Sequence, residues 1–114
     1  EEPERDRHPD TLRCRVGLLE AMRCSGDLDA AAAAAPGLVA DLVAVAGEDA
    51  VATMRAREEL VRLTWTRGDD AHARRMAREL LGRRRRVLGD DHPHTARSRL
   101  LVEAELRPPS SGAQ

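Results

Sequence analysis

The stretch Asp90-Asp91-His92-Pro93-His94 brings two imidazoles and two carboxylates together within five residues, a donor set that suits zinc. Its equivalent one internal period earlier carries no histidine, so the histidines read as part of a linker and no metal site is assigned. Arg83 to Arg86 form an unbroken cationic run, with Arg74, Arg75 and Arg78 close by, which is chemistry that could neutralise phosphate. Successive residues on a helix point in different directions, and no aromatic platform for stacking bases accompanies the run. It reads as a solvated helix face, with nucleic acid as a lesser alternative partner. Arg84 is set apart, because it continues an apolar stripe of Ala73, Met76, Ala77, Leu80, Leu81 and Leu88, so its stem is expected along the core.

Covalent chemistry finds little support. Neither Cys14 nor Cys24 has a histidine near it in sequence, no serine lies in a nucleophile motif, and there is no Gly-rich phosphate loop. The chain is therefore read as a non-enzyme without a cofactor. On one helix the two thiols stand about 15 Å apart along the axis, too far to pair, and isolated thiols suggest a reducing cytoplasm. Trp65, the single aromatic residue of the benzenoid or indole type, is expected to fill space near a helix end rather than to anchor a ligand.

The elements that must position these groups follow from composition. The chain has 114 residues, 34% of them charged, with 8 Gly and 6 Pro, which is one soluble folded domain. Phe, Tyr and Ile are absent, so Leu, Val, Met and especially Ala must fill the interior. Small side chains allow close helix approach, and strand formers are scarce, so the fold class is all-α. All basic residues are arginine, a bias of genome composition rather than of function. Net charge is −1, yet residues 1–53 carry five Arg against eleven acids and residues 54–86 eleven Arg against five. That polarity could steer a charged partner or join copies head to tail, within a Debye length of about 8 Å. No apolar run is read as reaching the roughly 18 residues of a membrane span, and no signal peptide is recognised.

A period of 42 residues organises the chain. Thr11, Thr53 and Thr95 obey it, as do Arg13, Arg55 and Arg97, then Arg15, Arg57 and Arg99. Gly26-Asp27 returns as Gly68-Asp69, and Gly47 as Gly89. Each unit reads as two helices, with Gly26 and Gly68 at the inner turns and Gly47 and Gly89 at the outer ones, where a residue following a helix often turns left-handed. Asp27 and Asp69 are expected to start the second helices, and Pro9 and Pro93 to occupy first helical positions. The spacing predicts helices near 9–24, 28–46, 50–66, 70–88 and 93–106. Repeats fall near 5–46, 47–88 and 89–107, the last partial and acting as a cap. Together they make one repeat domain over 1–107, followed by a mobile tail at 108–114. Pro36-Gly37 should kink or break the second helix.

The string Val87-Leu88-Gly89-Asp90-Asp91-His92-Pro93-His94-Thr95, with the two Gly-Asp turns, resembles the 42-residue tetratricopeptide repeats of kinesin light chains, and similar arrays occur in bacterial signalling proteins. The resemblance covers roughly residues 5–106. It implies a solenoid of stacked antiparallel helix pairs, a concave groove lined by the first helix of each pair, and capture of a protein or peptide there. Relatives commonly carry an Asn-Asn pair that holds the peptide backbone, whereas the matching positions here are Val16-Gly17, Glu58-Glu59 and Leu100-Leu101. A helix, a subunit or another face then remains open as the contact.

The candidate binding residues come from helical register. Arg13, Gly17, Glu20 and Cys24 share one face of the first helix, Arg55, Glu59, Arg62 and Thr66 the same face of the third, and Arg97 and Leu101 that of the fifth. Arg13, Arg55 and Arg97 should form an exposed ladder at the roughly 10 Å spacing of packed helices. With Glu59 and Arg62, they are the candidate contacts for an acidic segment, either of another protein or of the acidic start of a second copy. A plainer reading of Arg55 alone is a surface pair with Glu59 one turn on. The functional expectation is a protein-interaction module, with a structural or self-associating fragment of a larger signalling protein as the alternative.

Overall fold

In the computed structural model, residues 8–105 are described, with side chains to residue 103. They form five helices: α1 (Pro9–Ser25), α2 (Leu28–Ala46), α3 (Val51–Thr66), α4 (Asp70–Leu88) and α5 (Pro93–Glu105). Each packs against the next in the chain, and α1 also packs against α3. This is an all-α stack of antiparallel helix pairs, with no strand among the described residues. The boundaries expected from the 42-residue period hold to within a residue wherever they are described. The expected end of the last helix beyond residue 105 and the tail at 108–114 lie outside the described residues, as do residues 1–7.

The core is built from small and medium side chains. Leu12, Val16 and Leu19 of α1 meet Ala31, Ala35, Leu38 and Leu42 of α2 and Ala56 and Leu63 of α3. Buried alanines one turn apart, Ala31 and Ala35 in α2 and Ala73 and Ala77 in α4, let a neighbouring backbone come close, which helps an interior without Phe, Tyr or Ile to fill.

The recurrent residues of the period are mostly fasteners. Thr53 Oγ1 donates to the Gly47 carbonyl at 2.8 Å and ties the outer turn to the start of α3. Arg57 pairs with Glu48, and Arg99 donates to the Asp90 carbonyl at 3.0 Å, so each reaches back to the outer turn preceding its own helix. Arg15 instead bridges its hairpin, at 3.0 Å from Asp41.

Helix starts differ from the simple expectation. Asp27 and Asp69 occupy the cap positions of α2 and α4, but their side chains make no capping hydrogen bond. Their carboxylates act only through the positive end of the helix. The direct caps are histidines: His8 Nδ1 accepts from the Asp10 N–H at 3.1 Å, and His92 Nδ1 accepts from the His94 N–H at 3.0 Å. Each stands just before a proline at the first helical position, where the missing N–H leaves nothing unpaired.

Two expectations are corrected. Of the kink or break expected at Pro36, the break does not occur, since α2 runs from Leu28 to Ala46 as one helix. Pro36 and Gly37 lie on the exposed side of α2, so the ring meets solvent rather than the core. The same helix is also long and apolar enough by composition to cross a membrane, contrary to the reading of the sequence. Its apolarity comes from alanine, leucine and valine together, of which Ala31, Ala35, Leu38 and Leu42 are buried, while Asp29 and Asp41 carry ion pairs with Arg67 and Arg15.

The turn glycines differ among themselves. Gly26 lies in the left-handed region (φ 89°, ψ 5°), as expected. The outer-turn Gly47 (φ 95°, ψ 165°) and Gly89 (φ 92°, ψ 160°) combine positive φ with extended ψ, a region essentially reserved for glycine. A Cβ at either position would meet nothing within 4 Å, so the constraint lies in the backbone alone. Gly47→Ala should therefore cost about 1–3 kcal/mol, while Gly26→Asn should cost well under 1 kcal/mol because asparagine tolerates the left-handed region. Thermal unfolding followed by circular dichroism checks the order, and equal costs at both positions would contradict it.

Candidate functional site

The first helices α1, α3 and α5 are cross-linked on one face by ion pairs that join different repeats. Arg55 Nη2 of α3 lies 3.5 Å from Glu20 of α1, and Arg23 Nε of α1 donates to Glu59 of α3 at 2.5 Å. Arg97 Nη2 of α5 donates to Glu58 Oε1 of α3 at 2.9 Å, and Arg62 reaches Glu58 Oε2 at 3.0 Å from one turn further along α3. Arg13 stands apart, exposed and paired with Asp10 on its own helix.

Of the five candidate residues, then, the fold gathers Arg62 and Arg97 on Glu58 and sets Arg55 near them, since Arg55 and Arg97 both act electrostatically on Arg84 beside Glu58. Glu59 is not an exposed groove residue: it is buried beneath Arg23, because stacking α1 against α3 closes over this side of α3. The surface pair between Arg55 and Glu59 does not form, because Arg55 turns to Glu20 instead. Arg13 and Arg97 are exposed, while Arg55 is partly covered.

The centre of the site was not anticipated. Arg84 is fully buried, and its Nη1 donates to Glu58 Oε1 at 2.7 Å, to Ser98 Oγ at 2.9 Å and to the His94 carbonyl at 3.2 Å. Glu58 is itself only 3% exposed. Its burial by itself raises the carboxyl pKa, but hydrogen bonds from Arg84, Arg97 and Arg62 outweigh that and hold it down at about 2. Burial, reinforced by the nearby Arg84 and Arg97 charges, lowers the His94 pKa and favours a neutral ring. Three guanidiniums around one carboxylate leave a local surplus of positive charge.

The period explains why an ion pair sits here. Shifted by 42 residues, Glu58 corresponds to Val16, Arg84 to Leu42 and Ser98 to Ala56. All six side chains are buried, 16, 42 and 56 at the first junction between repeats and 58, 84 and 98 at the second. One junction is apolar and the other uses a buried ion pair in the same places. The coincidence of three polar replacements at equivalent positions was the available signal. The apolar stripe located the Arg84 stem but said nothing of its partner.

The remaining arginines of the run disperse. Arg83 pairs with Asp49 at 2.7 Å and Arg85 with Asp90 at 3.3 Å, while Arg86 is exposed. Cys14 and Cys24 are free and exposed on α1. Trp65 is half-buried and lines a pocket of about 230 Å³ with Arg23, Arg62, Ala77 and Leu101, so it neither fills the core nor stands free.

Residues 53–94 match a family model described as a tetratricopeptide repeat. The matched stretch is one full period, running through α3 and α4 into the start of α5. No curated protein and no solved structure matches the chain.

Two consequences can be measured. Because Glu58 is held below its usual 4.5, its contribution to stability is complete above pH 4.5 and is lost as pH falls from 4.5 toward 2. At about 1.4 kcal/mol per pKa unit this amounts to a few kcal/mol, and Glu58→Gln should flatten urea-denaturation stability across that window. Glu58→Val alone should cost about 3–5 kcal/mol by stranding the buried Arg84 guanidinium, whereas Glu58→Val with Arg84→Leu and Ser98→Ala, which copies the first junction, should recover most of the loss. Additive losses in the triple variant would show that the pair is not acting as a unit.

Proposed function

We propose that the chain is a non-enzymatic protein-interaction module, an array of tetratricopeptide repeats over about residues 5–107, that holds an acidic segment of another protein against the face made by α1, α3 and α5. The observation that carries this reading is the convergence of Arg62, Arg84 and Arg97 on the single carboxylate of Glu58, with Arg55 close by. Arg84 is consumed in the interior, but Arg55 and Arg97 keep roughly two-fifths of their side-chain surface in water. Their guanidinium forks suit carboxylates, and their present ion pairs are exposed enough for a ligand carboxylate to exchange with them. The repeat match at 53–94 supports protein binding as the kind of activity.

A second reading has its own observation. Leu18 and Leu100 are 60% and 64% exposed, although Leu60, equivalent to Leu18, is packed against the core and Val16 and Glu58, equivalent to Leu100, are buried. The two leucines therefore mark opposite end faces of the stack, and end-to-end association of copies would cover both. Leu18→Glu should abolish a concentration-dependent rise in mass seen by light scattering, and a strict monomer at millimolar chain removes this reading.

For the first reading, a fluorescent hexaglutamate peptide at low salt serves as the probe. Arg13→Glu with Arg55→Glu should weaken its binding at least tenfold without loss of helicity. Arg97 is better replaced by Gln, because a glutamate there would face Glu58. Equal binding by wild type and the arginine variants would remove the acidic-ligand reading.

A further inference from the structure

Side chains of α1, α3, α4 and α5 meet around the pocket of about 230 Å³ that Trp65 borders. Most of its lining is apolar: Val61, Ala73 and Ala77, each at most 3% exposed, with the half-buried Trp65 and Leu101. Arg23 and Arg62 line it as well, and they are the only charged groups that do.

The period sets this place apart. Arg23 and Glu59, which clasp α1 to α3, are replaced one period later by Trp65 and Leu101. Where the first two repeats are joined by an ion pair, α3 and α5 instead present two apolar side chains that border open space. Its volume lies just under the roughly 300 Å³ at which sites for drug-sized ligands begin, which suits a molecule of one ring. An apolar lining with an indole and two convergent cations is also the usual make-up of a small-molecule site, and an aromatic ligand gains from pairing with the indole beyond the area it buries.

Charge selects among such ligands. Arg23 engages Glu59 through Nε alone and Arg62 engages Glu58 through Nη2 alone, so each guanidinium keeps nitrogens that no protein carboxylate occupies. Glu58 is already shared by Arg62, Arg84 and Arg97, so the surroundings carry surplus positive charge and favour an anion. Guanidinium forks match a carboxylate in particular. We infer that this pocket binds a small aromatic carboxylic acid, its ring between Trp65, Leu101 and the two alanines and its carboxylate at Arg23 and Arg62. The site goes beyond the acidic-segment reading, since it uses neither Arg13 nor Arg55 and its ligand is a free small molecule.

Trp65 is the single tryptophan of the chain, so its emission reports on the pocket itself. The test titrates the full chain with 3-phenylpropanoate, with 3-phenylpropan-1-ol, which lacks the charge, and with propanoate, which lacks the ring. The acid should shift Trp65 emission to the blue and saturate, as water leaves the half-exposed indole. The alcohol and propanoate should each bind at least about tenfold more weakly, because a charge-assisted hydrogen bond and a buried ring are each worth about that or more. Arg62→Gln should weaken the acid about tenfold and leave the alcohol unchanged, while Glu58 keeps Arg84 and Arg97 and the fold is retained. Trp65→Arg with Leu101→Glu, which copies positions 23 and 59, should abolish the heat of acid binding in calorimetry without loss of helicity. If that double variant does not fold, Arg62→Gln read against the alcohol still decides. Trp65 emission that ignores the acid, or equal binding of the acid and the alcohol, overturns the inference. So does binding of N-acetylphenylalanine amide as tight as that of the acid, which would mark a subsite for a partner's side chain, and so does emission that shifts with chain concentration alone, which would put a second copy in the pocket.

Discussion

The buried ion pair between Arg84 and Glu58 is the constraint to which the second half of the stack conforms. A guanidinium with no solvent exposure demands a carboxylate, and Glu58 supplies it from the adjacent helix while Ser98 Oγ and the His94 carbonyl of the third repeat accept from the same Nη1, whose two hydrogens the three acceptors share. Three helices, α3, α4 and α5, are therefore tied through one nitrogen. Arg62 and Arg97 then close over the carboxylate from the rim. Such a pair is poor value as stability, because desolvation consumes most of the Coulomb attraction, but its geometry admits few alternatives.

That contrast divides the labour between the two junctions. Where Val16, Leu42 and Ala56 meet, apolar contact is forgiving and sliding costs little until packing is lost. Where Glu58, Arg84 and Ser98 meet, any slip strands a charge. In an array whose units resemble one another, a polar junction distinguishes the correct neighbour from an equivalent wrong one, much as a single buried polar residue sets register in a coiled coil. The cost falls on the second junction.

The surface chemistry follows from the same arrangement. Because Glu58 answers several guanidiniums at once, the face around it keeps excess positive charge, whereas the first junction offers apolar walls with two loosely engaged arginines. Elsewhere the arginines are spent on structure: those at 57 and 99 secure outer turns, and those at 83 and 85 engage acidic turn residues.

Much of the architecture could be read directly from the chain. The period of 42, the Gly-Asp and His-Pro punctuation and the lack of large strand formers determined five helices and their order, because these features act through local backbone preference and helix ends. The tolerance of Pro36 was not legible, since it depends on which side of α2 faces water. Nor was the fate of the arginine register: helical spacing placed Arg13, Arg55, Glu59, Arg62 and Arg97 on one face of their helices, but only stacking decided that Glu59 would be covered, that Arg55 would choose Glu20, and that Arg13 would stay apart. Register along one helix is a short-range property carried by the sequence. Which charge meets which across repeats depends on crossing angles and approach distances, and those are settled by the summed packing of alanines and leucines far from the charges themselves.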